Sequence, residues 1–312
     1  MAEVLLITLP FFAVCGLGFL AVRMGMLGDG AVSSLNVFAF YFAMPALVGG
    51  ALARQNIADI VDARLFAAWL ATGLAIFAMG YIAIRFVRPD ALPAERAISG
   101  QAASVGNIGF LGLPLGIEAF GDATLGPLVV ALLVDLVVLI PLSLGLLESA
   151  KSGGGAAGAV GALKGVVLNP FILAIFCGVT LSLSGIGLPD WLERFTGFLG
   201  GAASPAALFA LGASLAARQA AGAPAASALL SAIKLFAHPA LLMLVCWLAG
   251  VPAGPAAIAV FIAAMPVAGN VFVIAERYGA LVRPISTAVL ISTVISVVTV
   301  SAFLAWALLQ QG

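Results

Sequence analysis

Apolar runs of about twenty residues recur along the whole chain, and short clusters of charged residues, glycine and proline separate them. A helix rises about 1.5 Å per residue, so a run of about twenty residues crosses the hydrocarbon core of a bilayer. The pattern predicts ten helices, at about 3–22, 31–51, 65–87, 96–120, 124–147, 166–185, 194–216, 226–249, 255–277 and 284–309. Most connections are short, such as Val251-Pro252-Ala253-Gly254. The longest, about 149–165, holds Lys151-Ser152-Gly153-Gly154-Gly155 and Lys164, and reads as a flexible hinge. It separates a first half, 1–148, from a second half, 166–312. The first apolar run follows Met1-Ala2-Glu3 without a basic leader or a small-residue cleavage site, so a retained first span is expected.

Composition sharpens this picture. Of the 312 residues, 63% are apolar and only 8% charged, and the mean hydropathy is +1.23. So few polar side chains cannot cover a water-facing surface, which leaves an all-α polytopic protein with the lipid bilayer as its solvent. A secreted disulfide scaffold and a cytosolic enzyme are excluded on the same ground. Thirteen basic and thirteen acidic residues cancel, so no global field recruits nucleic acid. The cysteines, Cys15, Cys177 and Cys246, lie far apart inside apolar runs and read as buried packing residues. One histidine, no nucleophile beside a base within the spans and no Walker-type phosphate loop argue against an enzyme or an ATP-driven pump.

The basic residues orient the chain, because Lys and Arg are retained on the cytoplasmic side. With the N-terminus outside, the inner loops carry nine of them: Arg23, Arg85, Arg88, Arg96, Lys151, Lys164, Arg218, Arg277 and Arg283. The outer loops carry three, Arg54, Arg64 and Arg194. Both termini are therefore expected outside and the hinge inside. Five spans per half is an odd number, so the second half enters the membrane inverted, a construction used by many secondary transporters.

The two halves also share residue patterns. Phe42-Ala43-Met44-Pro45-Ala46-Leu47 in span two matches Ala202-Ala203-Ser204-Pro205-Ala206-Ala207-Leu208 in span seven, and each is followed by an arginine, Arg54 or Arg218. Span four ends Glu118-Ala119-Phe120-Gly121 and span nine ends Glu276-Arg277-Tyr278-Gly279. Each of these two spans carries a deep asparagine and proline, Asn107 with Pro114 and Asn270 with Pro266. A lone proline in a membrane helix is an ordinary kink. Matched interruptions in two halves, each beside a buried amide, point instead to broken helices whose freed backbone groups line a cavity. The N-terminus of a half-helix there carries partial positive charge suited to a carboxylate.

Asn-Ile-Gly-Phe-Leu-Gly-Leu-Pro-Leu (107–115) and Met-Pro-Val-Ala-Gly-Asn-Val-Phe-Val-Ile-Ala-Glu-Arg-Tyr-Gly (265–279) resemble the crossover motifs of the auxin efflux carrier family. Ile285-Ser286-Thr287-Ala288-Val289 and Phe42-Ala43-Met44-Pro45 are also similar to that family, and the likeness covers essentially the whole chain. It is nearest the short bacterial members, which act as organic-acid permeases of the inner membrane. The resemblance implies ten helices in two inverted five-helix repeats, with helices four and nine broken and crossing. It further implies a scaffold of spans one, two, six and seven, which could support a homodimer, and a mobile domain of three to five and eight to ten. The expected substrate is a small organic anion such as malate, malonate or an auxin-like acid. By motif position Asn107 contacts its carboxylate and Pro266 marks the second crossover, with Gly106, Pro114, Asn270 and Pro45 shaping the site. Plant carriers have proline immediately before the span-four asparagine, where this chain has Gly106.

Three ionisable residues fall within spans: Asp135 in span five, and Lys234 and His238 one helical turn apart in span eight. A mid-bilayer charge costs about 2.5–3.5 kcal/mol on insertion scales, so such groups face a bundle interior or a wet path. Three readings stand. The cluster is a structural pair, or it carries a coupling proton, or Lys234 snorkels to the interface. Glu118 and Glu276 occupy matching near-interface positions, where solvation or a cation site are the alternatives. The hydroxyls of span ten (Ser286, Thr287, Ser292, Thr293, Ser296, Thr299) read as helix-packing groups, with one face able to border the site. Trp69, Trp191, Trp247 and Trp306 read as interfacial anchors. The leading expectation is a secondary transporter with no cofactor beyond a coupling H+ or Na+. A sodium-coupled symporter of the bile acid carrier type is the alternative, and a sensor or channel stands behind both.

Overall fold

A computed structural model of the chain describes residues 2–28, 30–54, 62–152, 168–217 and 224–310. The glycine-rich stretch 153–165, with Lys164, and the second repeat arginine, Arg218, lie outside the described residues. Among those described, regular structure is helical apart from one isolated antiparallel bridge.

In chain order the helices are α1 (Ala2–Arg23), α2 (Ala31–Ala53), α3 (Ala63–Val87), α4 (Pro93–Ser104), α5 (Leu113–Phe120), α6 (125–152), α7 (Pro170–Ser184), α8 (Asp190–Gly201), α9 (Ala203–Ala217), α10 (Pro224–Leu248), α11 (Ala253–Ala263), α12 (Gly269–Tyr278) and α13 (Val282–Leu309). Among the described residues, six stretches are long and apolar enough to cross a bilayer: α2, α3, Ile108–Ala150, Asp190–Ala216, α10 and α13. The 43 residues of Ile108–Ala150 are not one straight rod, because Gly121 takes φ 56° and turns the chain between α5 and α6. The chain is thus a multi-pass helical membrane protein.

Among the described residues, four helical stretches contain a wide π turn: Ala39–Ala43 in α2, Ile108–Gly112 leading into α5, Val134–Leu139 in α6 and Ile233–Ala237 in α10. Each ends two residues before a proline, at Pro45, Pro114, Pro141 and Pro239 respectively. The physical reason is shared. Proline lacks an N–H and its ring collides with the carbonyl four residues back, and widening the preceding turn relieves that collision. A π turn also adds one residue to the helix, which rotates the next helical turns by about 100°.

Contacts group the chain into two compact units. The first comprises Met1–Asp62, Gly109–Val129 and Val167–Arg218. Small residues bring its helices together: a Cβ at Gly18 would run into the Phe209 carbonyl oxygen, and one at Gly212 into that of Cys15. Any side chain there would force α1 and α9 apart. Gly178 of α7 meets the Gly49 carbonyl of α2 in the same way. Asn36 of α2 donates to Ser214 Oγ of α9 at 3.0 Å. Cys15 is buried, whereas Cys177 is exposed on the outward face of α7 beside Phe176, which corrects the expectation that all three cysteines pack inside.

The second unit comprises Ala63–Ile108, Val130–Val166 and Gln219–Gly312. Gly80 of α3 and Gly100 of α4 let these helices approach closely, since a Cβ at Gly80 would meet Ala103 and one at Gly100 would meet Phe77. Ser227 and Ser231 of α10 donate to the Pro284 and Ala288 carbonyls of α13 at 2.9 and 3.3 Å. Ser143 of α6 bonds the Gln101 amide oxygen of α4 at 2.9 Å. At the charged end of α3, Arg88 pairs with Glu95 at 3.1 Å and Arg96 lies over the Tyr81 ring. Glu95 also accepts from the Leu92 N–H, which caps α4.

Candidate functional site

The site in the second unit is built where two helices stop. Helix α4 ends at Ser104, and Val105 turns extended at φ −84°, ψ 117°. Helix α11 ends at Ala263, and α12 does not begin until Gly269. Pro266 enforces that gap, because it has no N–H and disfavours helical geometry at Met265. The two extended pieces then satisfy each other. Gly106 and Val267 form the antiparallel bridge, the Asn107 N–H donates to the Pro266 carbonyl at 2.8 Å, and the Ala268 N–H donates to Val105 at 3.2 Å. The Val267 N–H goes to Ser292 Oγ of α13 at 3.1 Å. Buried backbone groups that left their helices thereby keep partners.

The ionisable cluster sits against this crossover. Lys234 lies in the π turn of α10 and is wholly buried, with Nζ 2.5 Å from the Ala263 carbonyl, which accepts its hydrogen bond, and 3.1 Å from His238 Nδ1. It does not snorkel. A Cβ at position 106 would stand 3.1 Å from both Cε and Nζ of Lys234, so Gly106 leaves the room that the ammonium occupies. Asp135, in the π turn of α6, is buried and neighbours Lys234 without lying in ion-pair contact. The Trp69 indole and the Gly106 N–H face its carboxyl, yet Oδ1 lacks a hydrogen bond of good geometry, as does His238 Nε2. Trp69 is 1% exposed and packs its ring edge-on to His238, with centroids 6.0 Å apart. It is a wall of this cluster and not an interfacial anchor, unlike the exposed Trp191 and Trp247. Proline in place of Gly106 would remove the N–H facing Asp135, and its Cβ would stand 3.1 Å from Lys234.

Gly106, Asn107, Pro266, Asp135, Lys234 and His238 are thus gathered in one unit. Asn107 is buried at the crossover, and Asn270 is exposed in the first turn of α12. Glu276 is exposed near the other end of α12, about 10 Å along the axis from Gly269. Pro45 and Pro114 belong to the first unit, where each follows a π turn by two residues. The rings of Phe40 and Phe110 from those turns stack with centroids 6.4 Å apart, and Phe40 also meets Phe171. Glu118 is exposed in α5 of that unit. Trp69, Ser292 and the Ala263 carbonyl were not among the site residues that the sequence pattern singles out. Ser292 lies within the noted hydroxyl run, whereas nothing in the linear pattern marks the other two.

A family model described as membrane transport protein matches residues 4–158 and 160–304. The chain belongs to that family, the auxin efflux carriers. A Rhizobium meliloti protein named "Putative malonate transporter" is 33% identical over 310 residues, covering 97% of this chain and 96% of that one. An "Uncharacterized transporter" of Methanothermobacter thermautotrophicus is 30% identical, with 91% of each chain covered. The "Uncharacterized transporter YfdV" of Escherichia coli (strain K12) is 26% identical, with 93% of each covered. This auxin efflux carrier family member is accordingly a membrane transport protein and not an enzyme.

Proposed function

We propose that the protein is a secondary transporter for a small organic carboxylate, with malonate the first candidate. The observation that carries this is the paired break at Gly106 and Val267, with buried Asn107 and the N-terminus of the ten-residue helix α12 beside it in one unit. A half-helix N-terminus attracts a carboxylate, and broken backbone inside a membrane is tolerated where it lines a binding cavity. The likeness to the Rhizobium meliloti protein supports malonate among such anions. In this reading the chain forms ten spans in two inverted repeats. The spans three to five and eight to ten carry the substrate past a scaffold of one, two, six and seven, which also supports a homodimer. Both termini are periplasmic in a bacterial inner membrane. The Asp135, Lys234 and His238 cluster supports coupling to protons in preference to sodium, because its ionisable groups abut the crossover itself.

Uptake of labelled malonate, malate and indole-3-acetate into proteoliposomes tests the reading, alongside Asn107→Ala. A hydrogen bond to a charged ligand is worth about 1.5–3 kcal/mol, so the variant should bind roughly tenfold to over a hundredfold more weakly while melting normally. Folded wild-type protein that neither takes up nor exchanges any of the three acids would refute it.

A further inference from the structure

Where broken helices hold a coupling cation, the ion rests on unwound carbonyls and on half-helix C-termini, which carry partial negative charge. The second unit presents that arrangement. Helices α4 and α11 end at Ser104 and Ala263, and the extended residues after them are paired through the Gly106–Val267 bridge. The side chain of Lys234 is already in place there. Lys234 Nζ donates to the carbonyl of Ala263, the last residue of α11, and lies 3.1 Å from where a Cβ at position 106 would stand. The nearest acceptor of this ammonium is therefore a half-helix terminus and not a carboxylate, so the contact is not a plain salt bridge. The Asp135 carboxyl neighbours Lys234 outside ion-pair distance, and its Oδ1 and His238 Nε2 are buried without hydrogen-bond partners.

We infer that Lys234 is a tethered cation standing where a coupling sodium ion would bind, so that anion binding by this chain does not depend on sodium. The inference rests on the carboxylate-transporter reading. It assigns Lys234 the task of holding the crossover in its binding geometry, and it leaves Asp135 and His238 to handle any coupling proton. It also gives a reason for Gly106, since a Cβ there would press to 3.1 Å of the Lys234 Nζ.

The experiment measures malonate affinity of the purified full-length protein, by thermal stabilisation, in choline, sodium and ethylammonium chloride at one ionic strength. Wild-type affinity should agree within about twofold in choline and sodium. Lys234→Ala removes the ammonium and should bind at least tenfold more weakly in choline, with recovery in sodium or ethylammonium as a free cation enters the vacated space. A sodium requirement in the wild type would overturn the inference, whatever the variant does. So would a folded Lys234→Ala protein that binds normally in choline, or one that neither cation restores. If Lys234→Ala does not fold, Gly106→Ala, which crowds the ammonium and leaves it in place, should weaken binding in choline, and unchanged affinity would count against the inference. Wild-type protein that malonate does not stabilise in any salt would instead strike the substrate reading.

Discussion

Ser292→Ala isolates one hydrogen bond on which the crossover hangs. Ser292 is fully buried in α13; its hydroxyl donates to the Val289 carbonyl at 3.3 Å and accepts from the Val267 N–H at 3.1 Å. Val267 is buried too, and no helix supplies a substitute acceptor, since it sits in the break between α11 and α12. Alanine would therefore leave a buried N–H unpaired, at a cost of about 1–3 kcal/mol, or roughly five- to 150-fold in the folded-to-unfolded ratio. Ser296 provides the control from the same helix. It is equally buried, but its hydroxyl donates only to the Thr293 carbonyl one turn back, at 2.7 Å. That carbonyl keeps its helical partner when the hydroxyl goes, so Ser296→Ala should change stability by at most about 0.5 kcal/mol. Equilibrium unfolding in mixed micelles reads both variants against the wild type. Equal losses in the two, or none in Ser292→Ala, would show that the Val267 N–H needs no such anchor.

Three further outcomes are expected. Asp135→Asn should retain malonate exchange in proteoliposomes and lose accumulation driven by a pH gradient; a parallel fall in melting temperature, exchange and uptake would make the acid a structural counter-charge, whose removal costs about 3–5 kcal/mol. Gly106→Ala should destabilise the protein by about 1–3 kcal/mol through overpacking against Lys234, and Gly106→Pro by more, because it also removes the N–H facing Asp135; thermal unfolding with the two losses reversed would contradict that geometry. Ser152→Cys should react with an impermeant thiol reagent only from the cytoplasmic side, as the nine-to-three basic asymmetry requires, and labelling confined to the periplasmic side would invert the topology.

Much of the architecture is legible in the sequence. Long apolar runs dictate membrane helices because the bilayer leaves the backbone no other way to satisfy itself. Proline marks the irregularities by the same covalent logic: Pro45, Pro114, Pro141 and Pro239 each come just after a π turn, and Pro266 closes the break before α12. The break at Asn107 was also foreshadowed, since it stands among glycines ahead of Pro114, and the structure buries it between α4 and the π turn that starts at Ile108. These features are local. Each arises from what a residue does to its own backbone and to the few positions around it.

What only the tertiary structure decided involves partners far apart in sequence. Lys234 could equally have snorkelled, paired with Asp135 or turned inward, and helical spacing alone does not choose among them. The choice came from a carbonyl 29 residues away at Ala263 and from the space that Gly106 leaves. Trp69 has the position of an interfacial anchor in the linear pattern, and became a wall of the cluster because α10 brings His238 to its face. Ser292 was one of seven hydroxyls in α13, distinguished only when Val267 arrived opposite it with an unpaired N–H. A buried polar group takes its role from whichever group supplies the missing hydrogen bond, and in a helical membrane protein that group comes from another helix.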